Sequence, residues 1–438
     1  MKRVLIITYY WPPSGGAGVQ RWLKFVKYLR DFGWEPVVYT AENPEAPALD
    51  HSLIHDVPPG LEVIRQPIWE PYTFYRKFVG LKKDAKISAG FLSEHKKPGL
   101  AEKAAVWLRG NFFIPDARKF WIKPSVRFLT EYLKLHPSDA IVSTGPPHST
   151  HLIALGLKKT NPGLPWLADF RDPWTKIDFY DKLMLTPMAN RRHHQLEKAV
   201  LKAADKVVTV SWQLAGELND LGAKQTEVVT NGFDPADFTG TDHRKPATFL
   251  LTHIGSLNKD RNPEFLWRVL GKMTRSNDTF RDLLKIRFIG KTDFSVFESL
   301  DRNGLSGCSE RIDYLPHGEA LKRSSDSAVL LLLINNTPNS SGIIPGKAFE
   351  YLATRRPILC IGPLTGDCAR IIRETRSGPV VDFGDEKGLL TALQDLFGSY
   401  QKDGQPQNET AIDQYSRKAL TGNIAGILDQ ITASPASE

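Results

Sequence analysis

KRVLIITYYWPPSGGAGVQRWLKFVKYLRDFGWEPVVYT is the sequence of residues 2–40. It contains an apolar run at Val4–Thr8, a glycine-rich loop at Gly15–Gly18, an apolar pattern of helical period at Val19–Phe32, and a second apolar run at Glu35–Thr40. A buried strand, a loop, an amphipathic helix and another buried strand in this order form the repeating unit of a parallel sheet covered by helices. The stretch therefore predicts a doubly wound α/β domain.

The same alternation of short apolar strands and amphipathic helices continues, and a second series of such elements follows it. A chain of 438 residues exceeds what one hydrophobic core usually serves, since a domain has about 150 residues. We therefore predict two α/β domains with parallel sheets, over residues 1–225 and 226–400, and a C-terminal helix in residues 401–438 that returns to the first domain. A helix is predicted over Pro124–Leu135, and Thr226–Thr230 is predicted as the first strand of the second domain.

The glycine-rich loop lies where many α/β proteins bring backbone close to a phosphate, because Gly15, Gly16 and Gly18 follow a strand and precede a helix. A dinucleotide-binding fingerprint would require a further glycine where Arg21 stands, which argues against a dehydrogenase. Two interpretations remain, a structural turn and a loop that faces a ligand, and we favour the second.

Residues 341–352, SGIIPGKAFEYL, have the composition of an anion-binding helix start. Pro345 is predicted at the first helical position, Lys347 on the first turn and Glu350 one turn later. The free amides and the positive dipole end of such a helix attract phosphate. The glycine spacing and Ala348, which stands in place of a magnesium-binding Ser/Thr, argue against a nucleotide-hydrolysing P-loop. The alternative is an ordinary amphipathic helix with a solvated or ion-paired Glu350.

The positive charge of the chain is concentrated in one segment. Residues 71–125 contain twelve Lys/Arg and four Asp/Glu, so their excess equals the net charge of +8, and they also contain ten aromatic residues. Cationic and aromatic groups together are typical of a surface that contacts an anionic membrane. Packing of the aromatic residues on the first domain is the alternative, and the absence of a nucleic-acid-binding motif argues against a nucleic-acid partner.

Bulk properties favour a protein of the cytoplasm. The composition is 41% hydrophobic and 24% charged, as in ordinary globular proteins, and no run approaches the ~18 apolar residues of a spanning helix. The three cysteines lack metal-ligand spacing and are expected to be reduced. The histidines of Arg191–His194 also lack such spacing, so we expect no catalytic metal.

Five segments resemble, in chain order, motifs of the retaining glycosyltransferases of family 4. They are Ala168–Trp174, Val207–Ser211, Thr230–Asp234, His253–Leu257 with Arg261, and Pro345–Tyr351. The resemblance covers residues 1 to about 390. It implies the GT-B architecture, in which two Rossmann-like domains face a cleft.

The resemblance also implies a binding site for a nucleoside diphosphate sugar, the donor of the transferred sugar. Glu350 would bind the ribose, while Lys347 and Arg261 would hold the diphosphate. Gly342 stands where the family has the first glutamate of its E-x7-E motif, so backbone amides would contact the sugar instead. The further implied donor-binding residues are Gly15, Gly16, Gly18, Asn231, Gly232, Asp234, Gly255, Gly342, Ile343 and Ile344.

Two residues of the first domain complete the implied catalytic set. His148 would form a hydrogen bond with a donor hydroxyl, and Asp172 is the polar group of the loop that follows Phe170. The alternatives are a structural histidine at His148 and, at Asp172, a helix N-cap or an ion pair with Arg171.

These inferences predict the transfer of a hexose to a hydroxyl with retention of configuration, without a metal or other cofactor. The expected acceptor is a lipid-linked or cell-surface glycan precursor, and the expected location is the cytoplasm, peripherally at the inner face of the membrane. A sugar-nucleotide epimerase, a phosphorylase or a non-catalytic glycan-binding protein of the same fold is the alternative.

Overall fold

The computed structural model describes residues 1–45, 48–70, 100–238, 244–313, 315, 317–402 and 411–433. The chain divides into a first unit, Met1–Thr230 with Leu420–Glu438, and a second unit, Asn231–Ala419. Each unit is built on a parallel sheet with helices around it, so the predicted α/β class is confirmed. Within the described ranges, no helix combines the length and the apolar composition needed to cross a membrane.

The first unit has a seven-stranded sheet in the order β3-β2-β1-β4-β5-β6-β7. Its neighbouring strands pair in parallel. Val4, Leu5, Ile6 and Ile7 are fully buried, because side chains on both faces of the sheet pack into hydrophobic clusters. The strands are β1 (Lys2–Ile7), β2 (Trp34–Ala41), β3 (Glu62–Gln66), β4 (Ala140–Gly145), β5 (Trp166–Phe170), β6 (Lys206–Thr209) and β7 (Thr226–Val228).

In the part of the chain that the structure describes, six α-helices of the first unit precede its boundary at Thr230. They are α1 (Ala17–Leu29), α2 (Leu100–Phe112), α3 (Lys119–Leu135), α4 (Ser149–Thr160), α5 (Pro187–Ala203) and α6 (Trp212–Asp220). The prediction that α3 begins at Pro124 was wrong, since the helix starts at Lys119 and contains Pro124. Burial of Trp121 on its first turn favours the earlier start. Pro124 lies inside the helix, where it cannot donate the usual hydrogen bond to the carbonyl four residues earlier.

The strand that we assigned to the start of the second domain belongs to the first sheet. Thr226–Val228 pairs in parallel with Val207–Thr209, and α6 forms the crossover between the two strands. A strand, a helix and a parallel strand with short connections form a single packing unit. The unit boundary therefore lies after Thr230.

The second unit has a six-stranded sheet in the order β10-β9-β8-β11-β12-β13, again with parallel neighbours. Its strands are β8 (Phe249–Ile254), β9 (Leu284–Ile289), β10 (Ser309–Ile312), β11 (Val329–Leu333), β12 (Ile358–Ile361) and β13 (Val380–Val381). Its helices are α7 (Glu264–Ser276), α8 (Asp278–Leu283), α9 (Phe294–Arg302), α10 (His317–Ser325), α11 (Gly346–Ala353), α12 (Asp367–Glu374) and α13 (Glu386–Gln401).

The C-terminal helix α14 spans Arg417–Ala433, and its residues from Leu420 onward belong to the first unit. Ile424 and Leu428 are fully buried in the hydrophobic cluster that also contains Val4 and Trp22. This helix therefore covers one face of the first sheet.

Candidate functional site

Each sheet has one point at which the strand order reverses direction. In the first sheet this point lies between β1 and β4, and in the second it lies between β8 and β11. Ligands of doubly wound proteins bind beyond the carboxyl ends of the strands at such points. The residues that follow these four strands are therefore the candidates.

Lys347 lies beyond the carboxyl end of β8. Its Nζ donates to the carbonyl of Ile254 at 3.0 Å and lies 3.4 Å from Nε2 of His253. Burial and the nearby charge of Arg261 lower the pKa of Lys347 to about 7, against the opposing effect of Glu350. An anionic ligand that supplies a further negative charge would restore the ammonium form.

Buried neighbours fix the position of Lys347. His253 is 1% exposed, and burial and the charge of Lys347 hold its pKa well below the usual range. Its Nδ1 lies 3.1 Å from the carbonyl of Leu331; because a carbonyl can only accept, Nδ1 carries the proton and Nε2 accepts from Lys347. Tyr351, on the same helix as Lys347, accepts a hydrogen bond from the amide of Ile254 at 2.9 Å.

Arg261 occupies the same end of the sheet. Its Nε donates to Oδ1 of Asn335, and its Nη1 lies 3.4 Å from the carbonyl of Ser256. Burial lowers the pKa of Arg261, although a guanidinium stays charged in proteins. Asn335 was not among the residues predicted from the sequence. Its position after β11 and Ile334, at the switch point, is the feature that could have indicated a role in the site.

Two glycines bring backbone close together beside Lys347. Gly255 and Gly290 have φ angles of +105° and +112°, which favour glycine. A Cβ atom on Gly290 would lie 3.1 Å from the carbonyl oxygen of Gly255, and a Cβ atom on Gly255 would lie 3.9 Å from Lys347 Nζ. Gly255, a predicted donor-binding residue, therefore lies next to the Lys347 ammonium.

The start of α11 differs from the expectation in two ways. Pro345 is the N-cap, and the helix begins at Gly346. The amides of Gly342 and Ile343 donate to the carbonyls of Asn339 and Ser340, at 3.1 and 3.2 Å. These two amides are therefore used within a local turn, which argues against their predicted role as hydrogen-bond donors to the sugar, while Ile344 connects this turn to Pro345.

Glu350 lies on α11, one turn after Lys347, and its side chain is half-buried. Its negative charge raises the pKa of Lys347, so the two groups are electrostatically coupled. The predicted role of Glu350 with ribose hydroxyls remains a prediction.

The predicted residues Asn231, Gly232 and Asp234 lie in a turn that contacts the first residue of α14. Oδ1 of buried Asp234 accepts from the amide of Ala236 at 3.1 Å, and Nη1 of Arg417 lies 3.5 Å from Oδ1 of Asn231. These contacts give Asn231 and Asp234 a structural role, and donor binding by the three residues remains a prediction.

In the first unit, Gly15 and Gly16 form the turn before α1. The amide of Gly15 donates to the carbonyl of Ala48 at 2.8 Å, and Gly16 is the N-cap with a φ angle of +100°. A structural role is therefore visible for both, whereas their predicted contact with a donor remains a prediction.

Arg171 joins Gly18 to the loop after β4. Its Nη1 donates to the carbonyl of Gly18 at 2.7 Å, its Nε donates to Gly145 at 3.2 Å, and its Nη2 donates to Pro146. A Cβ atom on Gly18 would lie 3.0 Å from Arg171 Nη1. Glycine at this position therefore permits the close approach of Arg171.

A buried ionic network lies beneath this loop. Asp169, fully buried at the end of β5, accepts hydrogen bonds from Arg21 Nη2 at 3.0 Å, Trp22 Nε1 at 2.6 Å and Thr144 Oγ1 at 2.8 Å. Arg21 also donates to the carbonyl of Thr230 at 2.9 Å. Arg21, which replaces the fingerprint glycine, therefore links α1 to β5 and to the end of the first unit.

His148 and Asp172 line one cavity of the first unit, with a volume of about 470 Å³. His148 is 8% exposed and stacks on Trp174 at 4.6 Å between ring centroids, with an angle of 4° between the planes. Burial lowers the pKa of His148 to about 3, so its ring is neutral at physiological pH. Trp174 Nε1 in turn donates to Nδ1 of His193 at 3.0 Å.

Asp172 exposes its side chain at this cavity. Desolvation by the surrounding protein raises the pKa of its carboxyl, while the charge of Arg171 lowers it. The structure thus brings two predicted residues, His148 and Asp172, to one cavity. In the part of the chain that the structure describes, no group of three or more His, Cys, Asp or Glu side chains forms a metal site.

Of the predicted membrane-contact segment, residues 71–99 lie outside the described residues. The remainder forms α2 and the first turns of α3. Trp107, Phe112 and Phe120 in this part are 39%, 57% and 43% exposed. The aromatic residues therefore include several that do not pack fully on the first unit.

Residues 15–232 match the model of a family described as a glycosyl transferase 4-like domain. No curated protein is significantly similar to the chain in sequence.

Solved structures of low sequence identity match both units. Sucrose-phosphate synthase from Thermosynechococcus elongatus is 13% identical, with a TM-score of 0.58 over 99% of this chain and 100% of that one. The Anabaena protein HepE, solved in complex with UDP-glucose, is 12% identical, with a TM-score of 0.58 over 98% and 100%. A Listeria monocytogenes protein described as a UDP-N-acetylglucosamine 2-epimerase is 12% identical, with a TM-score of 0.53 over 100% and 98%. These similarities show the GT-B fold.

Proposed function

We propose that this chain, which contains a glycosyl transferase 4-like domain over residues 15–232, transfers a hexose from a nucleoside diphosphate sugar to a hydroxyl with retention. The observation that carries the proposal is the pair Lys347 and Arg261. Both cations lie beyond the carboxyl ends of β8 and β11, and each is held by hydrogen bonds to fixed partners. A preorganised cationic pair of this kind suits a diphosphate group.

The proposed chemistry needs charge stabilisation at the leaving group. The bond between the anomeric carbon and the phosphate oxygen breaks, and a bond to the acceptor oxygen forms on the same face. The acceptor proton passes to the departing phosphate oxygen. Lys347 and Arg261 stabilise the negative charge that develops on the diphosphate, and Glu350 accepts hydrogen bonds from the ribose hydroxyls.

UDP-glucose is the first donor to test, because the Anabaena protein of the same fold was solved with it. The proposed acceptor is a lipid-linked or cell-surface glycan precursor. The proposed location is the cytoplasm, peripherally at the membrane. The charge of residues 71–125 and the exposed Trp107, Phe112 and Phe120 support a membrane contact.

The membrane contact predicts a charge-dependent binding of vesicles. We expect the triple variant Lys82→Glu, Lys83→Glu, Lys86→Glu to bind vesicles with anionic lipids at least roughly a hundredfold more weakly, at about 1 kcal/mol per lost basic residue. Co-sedimentation measures this affinity, with neutral phosphatidylcholine vesicles as the control. Unchanged binding of the triple variant would contradict the contact.

Asn335 is expected to affect the catalytic rate because it orients Arg261. Asn335→Ala removes the acceptor that orients Arg261 Nε, so kcat/KM for the donor is expected to fall by about tenfold to a hundredfold, because misplaced charge stabilises the transition state less. Thr337→Ala is the matched control, since Thr337 lies on the same loop and donates to Asn339 instead. Equal kinetics in the two variants would show that Asn335 does not position Arg261.

A donor screen tests the function as a whole. The full chain would be mixed with UDP-, GDP- and ADP-sugars and examined by thermal shift and mass spectrometry. Donor hydrolysis or transfer is the expected result. A free epimerised sugar nucleotide would instead support an epimerase, as described for the Listeria protein, and the absence of nucleotide binding would contradict both functions.

A further inference from the structure

The side chains that line the cavity of the first unit suit a ligand ring with apolar faces. Its volume of about 470 Å³ falls within the range of small-ligand pockets, about 300–1,000 Å³. The aromatic side chains that line it are Tyr10, Phe113, Trp174, Phe179 and Tyr180. Aromatic rings pack well against the C–H faces of a pyranose, which carry no hydroxyl groups.

The same cavity offers polar groups at its wall. His148 lines the cavity with 8% of its surface exposed, and a neutral imidazole has one donor and one acceptor nitrogen. Asp172 adds a carboxyl that can accept hydrogen bonds from hydroxyl groups. Apolar faces together with hydroxyl-binding edges match a sugar ring.

The cavity wall continues onto an exposed aromatic surface, which we call the ledge and define as Phe113, Phe120 and Trp69. Phe113 lines the cavity, and its ring lies 6.1 Å from that of Phe120. Phe120 lies in turn 4.9 Å from Trp69. Phe120 and Trp69 are 43% and 54% exposed, and contiguous exposed aromatic groups mark interaction surfaces.

A cationic group lies where the cavity meets the ledge. Lys119 Nζ is 5.8 Å from the ring centroid of Phe113 and 5.3 Å from that of Phe120. An anionic group of a ligand that runs from the cavity to the ledge would pass this ammonium. Lys119 Nζ also donates to the carbonyl of Phe112 at 2.6 Å, which fixes its position. A free sugar would use the cavity alone and would not contact the ledge.

We propose that the cavity receives the sugar ring of a lipid-linked acceptor and that the ledge receives the first part of its apolar chain, with the linking phosphate near Lys119. This inference rests on the proposed function and specifies the acceptor class. In this proposal His148 contacts the acceptor ring instead of the donor hydroxyl that the family resemblance implies, because it shares the cavity with Asp172. Both side chains hold the ring by its hydroxyl groups, and Phe120 and Trp69 distinguish a lipid-linked sugar from a free one.

Paired probes test the inference on the full chain. Methyl and octyl glycosides of glucose, galactose, mannose and N-acetylglucosamine would be titrated by calorimetry, with the octyl compounds below their micelle concentrations. We expect at least one octyl glycoside to bind at least tenfold more tightly than its methyl counterpart. The double variant Trp69→Ala, Phe120→Ala should remove this gain and leave the affinity for the methyl glycoside unchanged.

Two further variants serve as tests of the cavity and as a control for exposed aromatic residues elsewhere. Ile177→Trp narrows the cavity, which Ile177 lines, and should weaken both members of the pair. Phe294→Ala removes an aromatic side chain that is 73% exposed in the second unit and should change neither. The inference is overturned if no octyl glycoside gains affinity, or if the gain survives loss of Trp69 and Phe120. UDP-glucose affinity, measured separately, reports on the proposed function alone.

Discussion

Lys347→Ala is expected to reduce kcat/KM for the donor by a factor of about 10² to 10³, the usual effect of removing one group that stabilises developing charge. Lys347 Nζ is held at 3.0 Å from the carbonyl of Ile254, so its charge is already positioned before a ligand binds. Steady-state kinetics and calorimetry with UDP-glucose measure the effect. The control is Lys272→Ala, which removes an exposed ion pair of the same unit. Near-normal kinetics of Lys347→Ala would refute the assigned site.

The same residue gives donor binding a defined pH dependence. The pKa of Lys347 in the unbound protein is lowered to about 7, and a bound diphosphate raises it, so binding takes up a proton above that pH. Affinity is therefore greatest below pH 7, where the ammonium is already formed, and decreases as pH rises above 7. UDP-glucose suits this test because its diphosphate has no ionisation near neutral pH.

Lys347→Arg should have a much flatter profile over the same range, because a guanidinium stays protonated. Calorimetry in buffers of different ionisation enthalpy counts the protons taken up. A wild-type affinity that stays constant from pH 6 to 9 would rule out titration of Lys347 as its cause.

Asp169→Asn is expected to destabilise the first unit by about 3–5 kcal/mol, the cost of leaving a buried charge without its partner. Asp169 is fully buried and Arg21 is 1% exposed, so water cannot replace the lost carboxylate. Denaturant unfolding followed by tryptophan fluorescence measures the change, with hydrogen exchange of β5 to assign the transition to the first unit.

Surface and double variants make this test specific. Lys134→Ala removes an exposed ion pair with Glu131 and should cost at most about 1 kcal/mol. Arg21→Met combined with Asp169→Leu removes both buried charges and should cost less than the sum of the two single variants. If the free energy of unfolding decreases no more for Asp169→Asn than for Lys134→Ala, the network contributes little to stability.

The class of fold could be predicted from local pattern, because buried parallel strands are short apolar runs. Val4–Thr8 and Glu35–Thr40 correspond to β1 and β2 with shifts of a residue or two. The strand predicted over Thr226–Thr230 was assigned to the wrong sheet, because a strand pattern does not show which strand it pairs with. That information lies in the pairing with β6.

The candidate site was predictable only in part. Lys347 and Arg261 stand in recognisable motifs, and the structure places both beyond β8 and β11. Asn335 and His253 act through contacts with Arg261 and Lys347, and long-range contacts of this kind leave no local pattern. Gly342 and Ile343 were assigned to a ligand because the turn that uses their amides was not visible in the sequence.

The helix α14 makes completion of the first unit depend on the order of synthesis. A ribosome releases residues 1–230 long before Leu420–Ala433, yet Ile424 and Leu428 cover the cluster that contains Val4 and Trp22. The nascent N-terminal half therefore exposes an apolar face until residues 420–433 have been synthesised. An expression fragment of residues 1–230 would keep that face uncovered and is expected to aggregate, whereas a fragment in which residues 420–433 are joined to it by a linker carries the missing cover.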